Sequence, residues 1–293
     1  MIVTQDLDPR SIILRPGRLE DAPACGEICY RAFRAISEEH NFPPDFPSVE
    51  AATGLMGAIL SKPGVHSVVA ETEQRIVGSN FLWEDTIAGV GPITVDTAAQ
   101  NGAIGRRLMQ QVLDHARCKN FAGVRLVQAA YHNRSLSLYT KLRFVVREPL
   151  ATMQGPAINE RVPGYDVRPA TEQDTGVCNA LSHRVHGHAR SVELCEAIGR
   201  ANATVVVRDG RITGYATGIG FFGHAIGETN EDVKALLAAA PAFAGPGFLL
   251  PTRNAELFRW CLEKGIRVVQ PMTLMSFGLY NEPAGVFLPS ILY

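Results

Sequence analysis

The sequence predicts two consecutive mixed α/β domains, and three observations carry that prediction. The chain has 293 residues, about twice the length of a common domain. Apolar residues make up 46% and charged residues 19%, which suits packed cores and excludes a disordered chain. A set of local patterns also occurs twice, in the same order.

The first pattern is Arg15-Pro16 with Asp21 six residues after the arginine, matched by Arg168-Pro169 with Asp174 at the same spacing. An apolar run precedes each (Ile12-Ile13-Leu14; Tyr165 and Val167) and an amphipathic stretch follows. That predicts strand, turn and helix twice, with an acid at the helix start where the dipole favours negative charge. Arg75-Ile76-Val77-Gly78 then matches Arg211-Ile212-Thr213-Gly214, each after an apolar strand and a polar turn, which predicts two β-hairpins. Val90-Gly91 matches Ile226-Gly227, and Lys141-Leu142-Arg143-Phe144 matches Glu263-Lys264-Gly265-Ile266. The expected division is residues 1–154, a linker at 155–164 in the Gly- and Pro-rich QGPAINERVPG stretch, and residues 165–293. Each half predicts a mixed, mostly antiparallel sheet with helices on both faces.

A formal net charge of −1 gives no general attraction to nucleic acid or an anionic membrane. The beginning of the chain lacks an apolar signal region, and no apolar run reaches the roughly 18 residues of a membrane span. A cytoplasmic, reducing setting is the expectation, and the oligomeric state stays open between monomer and homodimer. The six cysteines form no C-x-x-C pair. Cys25 and Cys29 share a helix face and read as buried thiols, a metal there lacking a second ligand pair. His183, His186 and His188 cluster near a helix end. A solvated helix terminus, an acceptor-pocket lining and a metal site are all open to them, and no metal is expected overall.

The most informative stretch runs from Ile93 through Arg107. An apolar strand, Ile93-Thr94-Val95, ends at Asp96; small residues then open a helix with Ile104, Leu108, Val112, Leu113 and Ala116 at helical spacing. Small residues at such a junction let a ligand approach the backbone, where unpaired N–H groups and the positive helix end favour a pyrophosphate. Arg106 and Arg107 put cations in the first turn, where the dipole disfavours them unless an anion is near. An ordinary glycine-containing cap is the competing reading. A Rossmann fingerprint is excluded, because G-x-G-x-x-G is absent.

The run V-D-x-x-x-Q-x-x-A-x-G resembles the acetyl-CoA signature of the GNAT acetyltransferase superfamily, Q/R-x-x-G-x-G/A, with Gln100, Ala103 and Gly105 at the signature positions. Ala103 departs from the usual glycine. Downstream, Asn133-Arg134-Ser135-Leu136-Ser137-Leu138-Tyr139-Thr140-Lys141-Leu142-Arg143-Phe144 is similar to the second superfamily motif, N-x-x-A-x-x-L-Y-x-K-L-G-F. Ser135-Leu136 departs from it, and Arg143 replaces a glycine, so the helix end is expected to differ locally. The resemblance implies two tandem GNAT-like domains and an N-acetyltransferase using acetyl-CoA. It places the cofactor on Ile93, Thr94, Val95, Gln100, Asn101, Gly102, Ala103, Ile104, Gly105, Arg106 and Arg107. It also implies that Asn133 contacts the pantetheine arm and that Tyr139 protonates the departing thiolate.

A primary ammonium with a pKa near 10.4 costs about 4–5 kcal/mol to deprotonate at pH 7, so a carboxylate working through water would help. Glu84, with Asp85 beside it, is the candidate base, exposed turn acids being the alternative. Glu38 to Pro47, rich in acids and aromatics, either lines the acceptor site or is an ordinary loop. In the second half, Gly227-Glu228-Thr229-Asn230-Glu231-Asp232 occupies the phosphate-loop position, and Trp260 or Cys261 the tyrosine position. Those acids would repel a pyrophosphate, so this half reads as a catalytically silent copy. The rival to an enzyme with a small-molecule or peptide amine acceptor is a non-catalytic acyl-CoA-binding sensor or scaffold.

Overall fold

The structure, a computed structural model, describes residues 12–73, 75–100 and 103–292. The chain divides into two compact units, the first running to Leu126 and adding His132–Phe144, the second combining Val127–Tyr131 with Val145 onward.

The first unit begins with β1 (Ile13–Pro16), α1 (Ala22–Glu39), α2 (Val49–Leu60), β2 (Val65–Glu71) and β3 (Ile76–Trp83). It continues with β4 (Ala88–Val90), β5 (Thr94–Val95), α3 (Ile104–Cys118), the start of β6 (Gly123–Ala129), and α4 (Asn133–Lys141). Its sheet runs β1-β2-β3-β4-β6, with β5 also on β3. The β1–β2, β2–β3, β3–β4 and β3–β5 ladders are antiparallel, and β4 pairs with β6 in parallel. Ala22, Cys25, Cys29, Met56, Ile59, Val69 and Phe81 form one core cluster. Burial pushes the Cys25 thiol up to about 11, as expected of an inert interior cysteine.

The second unit holds β7 (Val145–Gln154), β8 (Asp166–Pro169), α5 (Thr175–His186), α6 (Ser191–Gly199), β9 (Thr204–Arg208) and β10 (Arg211–Ala216). After these come β11 (Ala225–Gly227), α7 (Asn230–Ala239), β12 (Phe248–Pro251), α8 (Ala255–Glu263), β13 (Arg267–Gly278) and β14 (Val286–Leu288). One of its sheets runs β14-β11-β10-β9-β8; the other places β13, β7 and β12 side by side. Mixed sheets with helices bear out the expected fold class.

The contacts divide at another place than the expected linker at 155–164. Strand β7, which the sequence assigns to the first half, pairs along its length with β13 and also with β12. Its Ala151 and Met153 pack with Phe248, Leu250, Leu257 and Cys261. A strand must satisfy its backbone where its ladder is, so the division of contacts falls at Phe144–Val145.

The repeated sequence patterns build repeated devices. Arg15 donates from Nη1 and Nη2 to the two carboxylate oxygens of Asp21 at 2.8 and 2.9 Å. Arg168 does the same to Asp174, at 2.8 Å for both bonds. Each carboxylate also accepts a backbone N–H from three residues earlier, Arg18 at 2.7 Å and Thr171 at 2.8 Å. The paired guanidinium holds both carboxylates below the usual range. The glycines of the two hairpins share a cause as well. A Cβ on Gly78 would lie 2.7 Å from the Thr94 carbonyl oxygen, and one on Gly214 would lie 2.7 Å from that of Ile226.

Candidate active site

The strand before the phosphate loop leaves its neighbour. Strand β4 pairs with β6 through Ala88 and Gly89 only, opposite Val124 and Arg125. After Gly91 and the cis-peptide-bonded Pro92, β5 pairs with β3 through Thr94 and Val95. Ile93, Thr94 and Val95 thus follow the point where the sheet parts, and backbone groups there are placed to receive an extended ligand.

The loop beyond is braced from within. The Asp96 carboxylate accepts the Ala98 N–H at 2.9 Å and pairs with Arg75. Gln100 donates to the Val95 carbonyl at 3.4 Å and accepts from Arg134 at 2.9 Å, so its side chain clasps the loop to α4. Asn101 and Gly102 lie outside the described residues. Ala103 occupies the left-handed region, φ 59°, where the family signature carries glycine. Helix α3 then starts at Ile104, and among the described residues no side chain is hydrogen-bonded at its N-cap. Ile104, Leu108, Val112, Leu113 and Ala116 are buried, as the helical spacing predicts. Gly105 is not strained: a Cβ there would meet Leu138 Cδ2 at 3.5 Å and Val95 Cγ2 at 3.8 Å, ordinary contacts.

Beside this helix start lies a groove of about 420 Å³ lined by Arg106, Asn133, Arg134, Ser137, Leu138 and Lys141. Three cations and no acid line it, which suits phosphate oxygens. The groove therefore brings together Arg106 and Asn133 of the expected set, and adds Arg134 and Lys141. The signal for those two was available in the tyrosine motif, where positions one and eight residues after the helix start at Asn133 face one side. Arg107 differs: its Nη2 donates to the Ile12 carbonyl at 2.9 Å, a tether toward β1.

Tyr139 is buried on α4, and burial pushes its hydroxyl up to about 12, with a hydrogen bond from Ser135 acting in the opposite direction. The helix ends on Leu142, with the Phe144 N–H donating to the Tyr139 carbonyl at 3.0 Å. Arg143 itself adopts φ 70°, the conformation Gly265 takes with φ 80° at the matching place in the second unit. The expected local difference at this helix end is corrected: the turn keeps its form and Arg143 carries the strain.

Glu84 stands apart from the loop. It stands at the far end of β3 from Gly78, which faces Val95. Six residues of strand separate them, about 20 Å. Its carboxylate binds His115 Nε2 at 2.6 Å on the last turn of α3, and that imidazole stacks on His66 with centroids 3.7 Å apart. Glu84 belongs to this cluster, about 20 Å along β3 from the loop.

In the second unit the equivalent helix start is closed. Thr229 caps α7, its hydroxyl accepting the Asp232 N–H at 3.4 Å. The buried Asp232 carboxylate accepts the Thr229 N–H at 2.8 Å and the Thr229 hydroxyl at 2.9 Å, and also pairs with the Thr213 hydroxyl. A ligand phosphate would have to displace a carboxylate already there. Of the histidine cluster, His183 is exposed, whereas His186 and His188 are buried. His186 Nε2 lies 3.0 Å from Nε2 of His224, a partner remote in sequence, and burial lowers the His224 pKa well below its ordinary value. Among the described residues, no group of three or more His, Cys, Asp or Glu is arranged to hold a metal ion. No helix among them is long and apolar enough to cross a membrane.

The site thus combines a parting sheet, a helix start beside a cationic groove, and a buried tyrosine on the next helix. Residues 29–144 match the model of the Acetyltransferase (GNAT) family. An IAA acetyltransferase of Azospirillum brasilense is 28% identical over 144 residues, 48% of this chain and 88% of that protein. The fold extends along the chain in two solved structures. A Pyrococcus horikoshii protein labelled an acetyltransferase superposes with a TM-score of 0.71 at 17% identity, covering 96% of both chains. A GCN5-related N-acetyltransferase of Sphaerobacter thermophilus gives 0.62 at 14% identity, covering 94% of this chain and 98% of its own.

Proposed function

We propose that the first unit transfers an acetyl group from acetyl-CoA to a primary amine by direct attack within a ternary complex. The observation that carries this reading is the uncapped start of α3 facing a groove lined by Arg106, Arg134 and Lys141, against the Asp232-closed start of α7. The diphosphate would lie on the N–H groups after Ala103 with Arg106 beside it, and the pantetheine arm would run along β5 past Asn133. Backbone N–H groups of Ile93–Val95 would orient the thioester carbonyl and receive its developing charge. The second unit, with its closed helix start and Cys261 at the tyrosine position, acts as a degenerate GNAT-like copy without chemistry of its own. No metal takes part.

Tyr139 donates to the departing thiolate. With a hydroxyl at about 12 against a thiol near 8.5, complete transfer is uphill by about 5 kcal/mol. Reference values alone give roughly 2 kcal/mol. The hydroxyl therefore donates to the growing negative charge on sulfur without leaving a separated tyrosinate behind. With Glu84 remote, the acceptor's proton leaves to water. The test is thiol release from acetyl-CoA with a panel of amines, to which the name of the Azospirillum relative adds IAA, for wild type and Tyr139→Phe. A fall of about 100-fold in kcat with CoA affinity unchanged is expected; equal kcat removes Tyr139 from the chemistry. CoA binding without turnover of any acceptor would favour the sensor reading.

A further inference from the structure

Tyr139 is buried, yet each turnover takes a proton from it. The route for its replacement lies along its own helix. Ser135 is one turn before Tyr139 on α4, a spacing that puts both side chains on one face, and its hydroxyl acts against the burial that raises the Tyr139 pKa. Ser135 Oγ also lies 2.7 Å from Nδ1 of His132, the residue that precedes α4. His132 is half-buried, between the interior and the surface. Desolvation first, then Arg134 and His40, lower its pKa, while Glu39 opposes them, so the imidazole is neutral near pH 7.

We infer that Ser135 and His132 form a proton relay that reloads the Tyr139 hydroxyl as the CoA thiolate departs. This rests on the reading of Tyr139 as proton donor. A neutral imidazole has one N–H and one lone pair. With Nδ1–H donating to Ser135 Oγ and Ser135 O–H donating to Tyr139, every donor points toward the thiolate. As the C–S bond breaks, the Tyr139 proton passes to sulfur, the Ser135 proton to the Tyr139 oxygen, and the Nδ1 proton to Ser135. Nε2 then takes one proton from water, balancing the proton that the acceptor ammonium gave up to water, and proton exchange with water returns the imidazole to its Nδ1–H form before the next turnover. Tyrosinate never stands alone, which removes the uphill step set by its burial. Ser135 and His132 are positioning residues that act through Tyr139. Ser135 lies in the Ser135-Leu136 pair at which this chain departs from the family pattern.

The test follows thiol release from acetyl-CoA with hydroxylamine as nucleophile, in the full chain, for Ser135→Ala, His132→Gln, Tyr139→Phe and the Ser135→Ala/Tyr139→Phe double variant. Ser135→Ala and His132→Gln should each lower kcat about tenfold with CoA affinity unchanged by calorimetry, and Ser135→Thr should restore most of it. In the Tyr139→Phe background, Ser135→Ala should change kcat by less than about twofold, because residues acting as one unit are not additive. Wild-type rates in mixed light and heavy water should bow as for several protons in flight, and those of Ser135→Ala should be linear. The relay is overturned if Ser135→Ala and His132→Gln keep wild-type kcat while Tyr139→Phe loses it, or if Ser135→Ala multiplies the Tyr139→Phe defect. Wild-type kcat in Tyr139→Phe would instead overturn the reading of Tyr139 itself.

Discussion

Gly105→Ala separates what the fold needs from what the ligand needs. Glycine commonly sits at a helix start because packing demands it, but here a Cβ would find only Leu138 Cδ2 at 3.5 Å and Val95 Cγ2 at 3.8 Å. The protein itself accepts the methyl group. Replacing glycine by alanine in a helix gains about 0.5–1 kcal/mol, so the variant should be equally or slightly more stable. A pantetheine diphosphate lying between Val95, Leu138 and the first turn of α3 would have to share that space with the new methyl group. Losing one or two hydrogen bonds to its charged oxygens costs about 1–3 kcal/mol, or roughly 5- to 150-fold in Kd. Isothermal calorimetry with CoA and urea denaturation, run on the same preparations, give the two numbers. Unchanged CoA affinity in a folded Gly105→Ala protein would refute the placement of the ligand on this helix start.

Other substitutions test the remaining parts. Glu84→Gln should leave kcat within about twofold, since its partner is His115 and not the acceptor; a loss above tenfold would return it to the chemistry. Asp174→Asn removes a bidentate charge-assisted pair and should cost about 1.5–3 kcal/mol by urea denaturation at pH 7. Because the folded carboxyl is held below its unfolded pKa of about 3.9, this stability is present above that pH and fades as pH falls below it. Wild type and variant should therefore converge in acid, and a gap that persists there would mean the pair is not the cause. Arg143→Gly should raise stability by about 0.5–1 kcal/mol, because glycine takes the φ 70° conformation without strain; a loss would show that the Arg143 side chain matters more than its backbone.

Much of this was legible in the chain because local rules and tertiary structure agreed. The Arg15–Asp21 and Arg168–Asp174 spacings marked an acid at each helix start, and the two Arg-Ile-x-Gly stretches marked the two hairpins. Leu108 and Val112 fell on the buried face of α3 because a 3.6-residue period leaves little choice. Partnership across long separations was not legible. Strand β7 reads identically whether it pairs inside its own half or with β13, since a strand's pattern fixes its faces and not its neighbour. The same blindness hid His224 from His186, and His115 from Glu84. Sequence proximity made Glu84 look close to the loop, whereas a β-strand carries it some 20 Å away. Arg143 misled differently: a glycine-like turn survives a side chain at about 1–2 kcal/mol when the surrounding helix end is otherwise satisfied.

Amide hydrogen exchange on the full chain, with and without CoA, addresses the ligand's place most directly. The N–H groups of Ile104–Arg107 should gain protection when CoA is added, while those of Asn230–Val233, closed by Asp232, should not change. Protection confined to the start of α7, or none at the start of α3 under saturating CoA, would contradict the account.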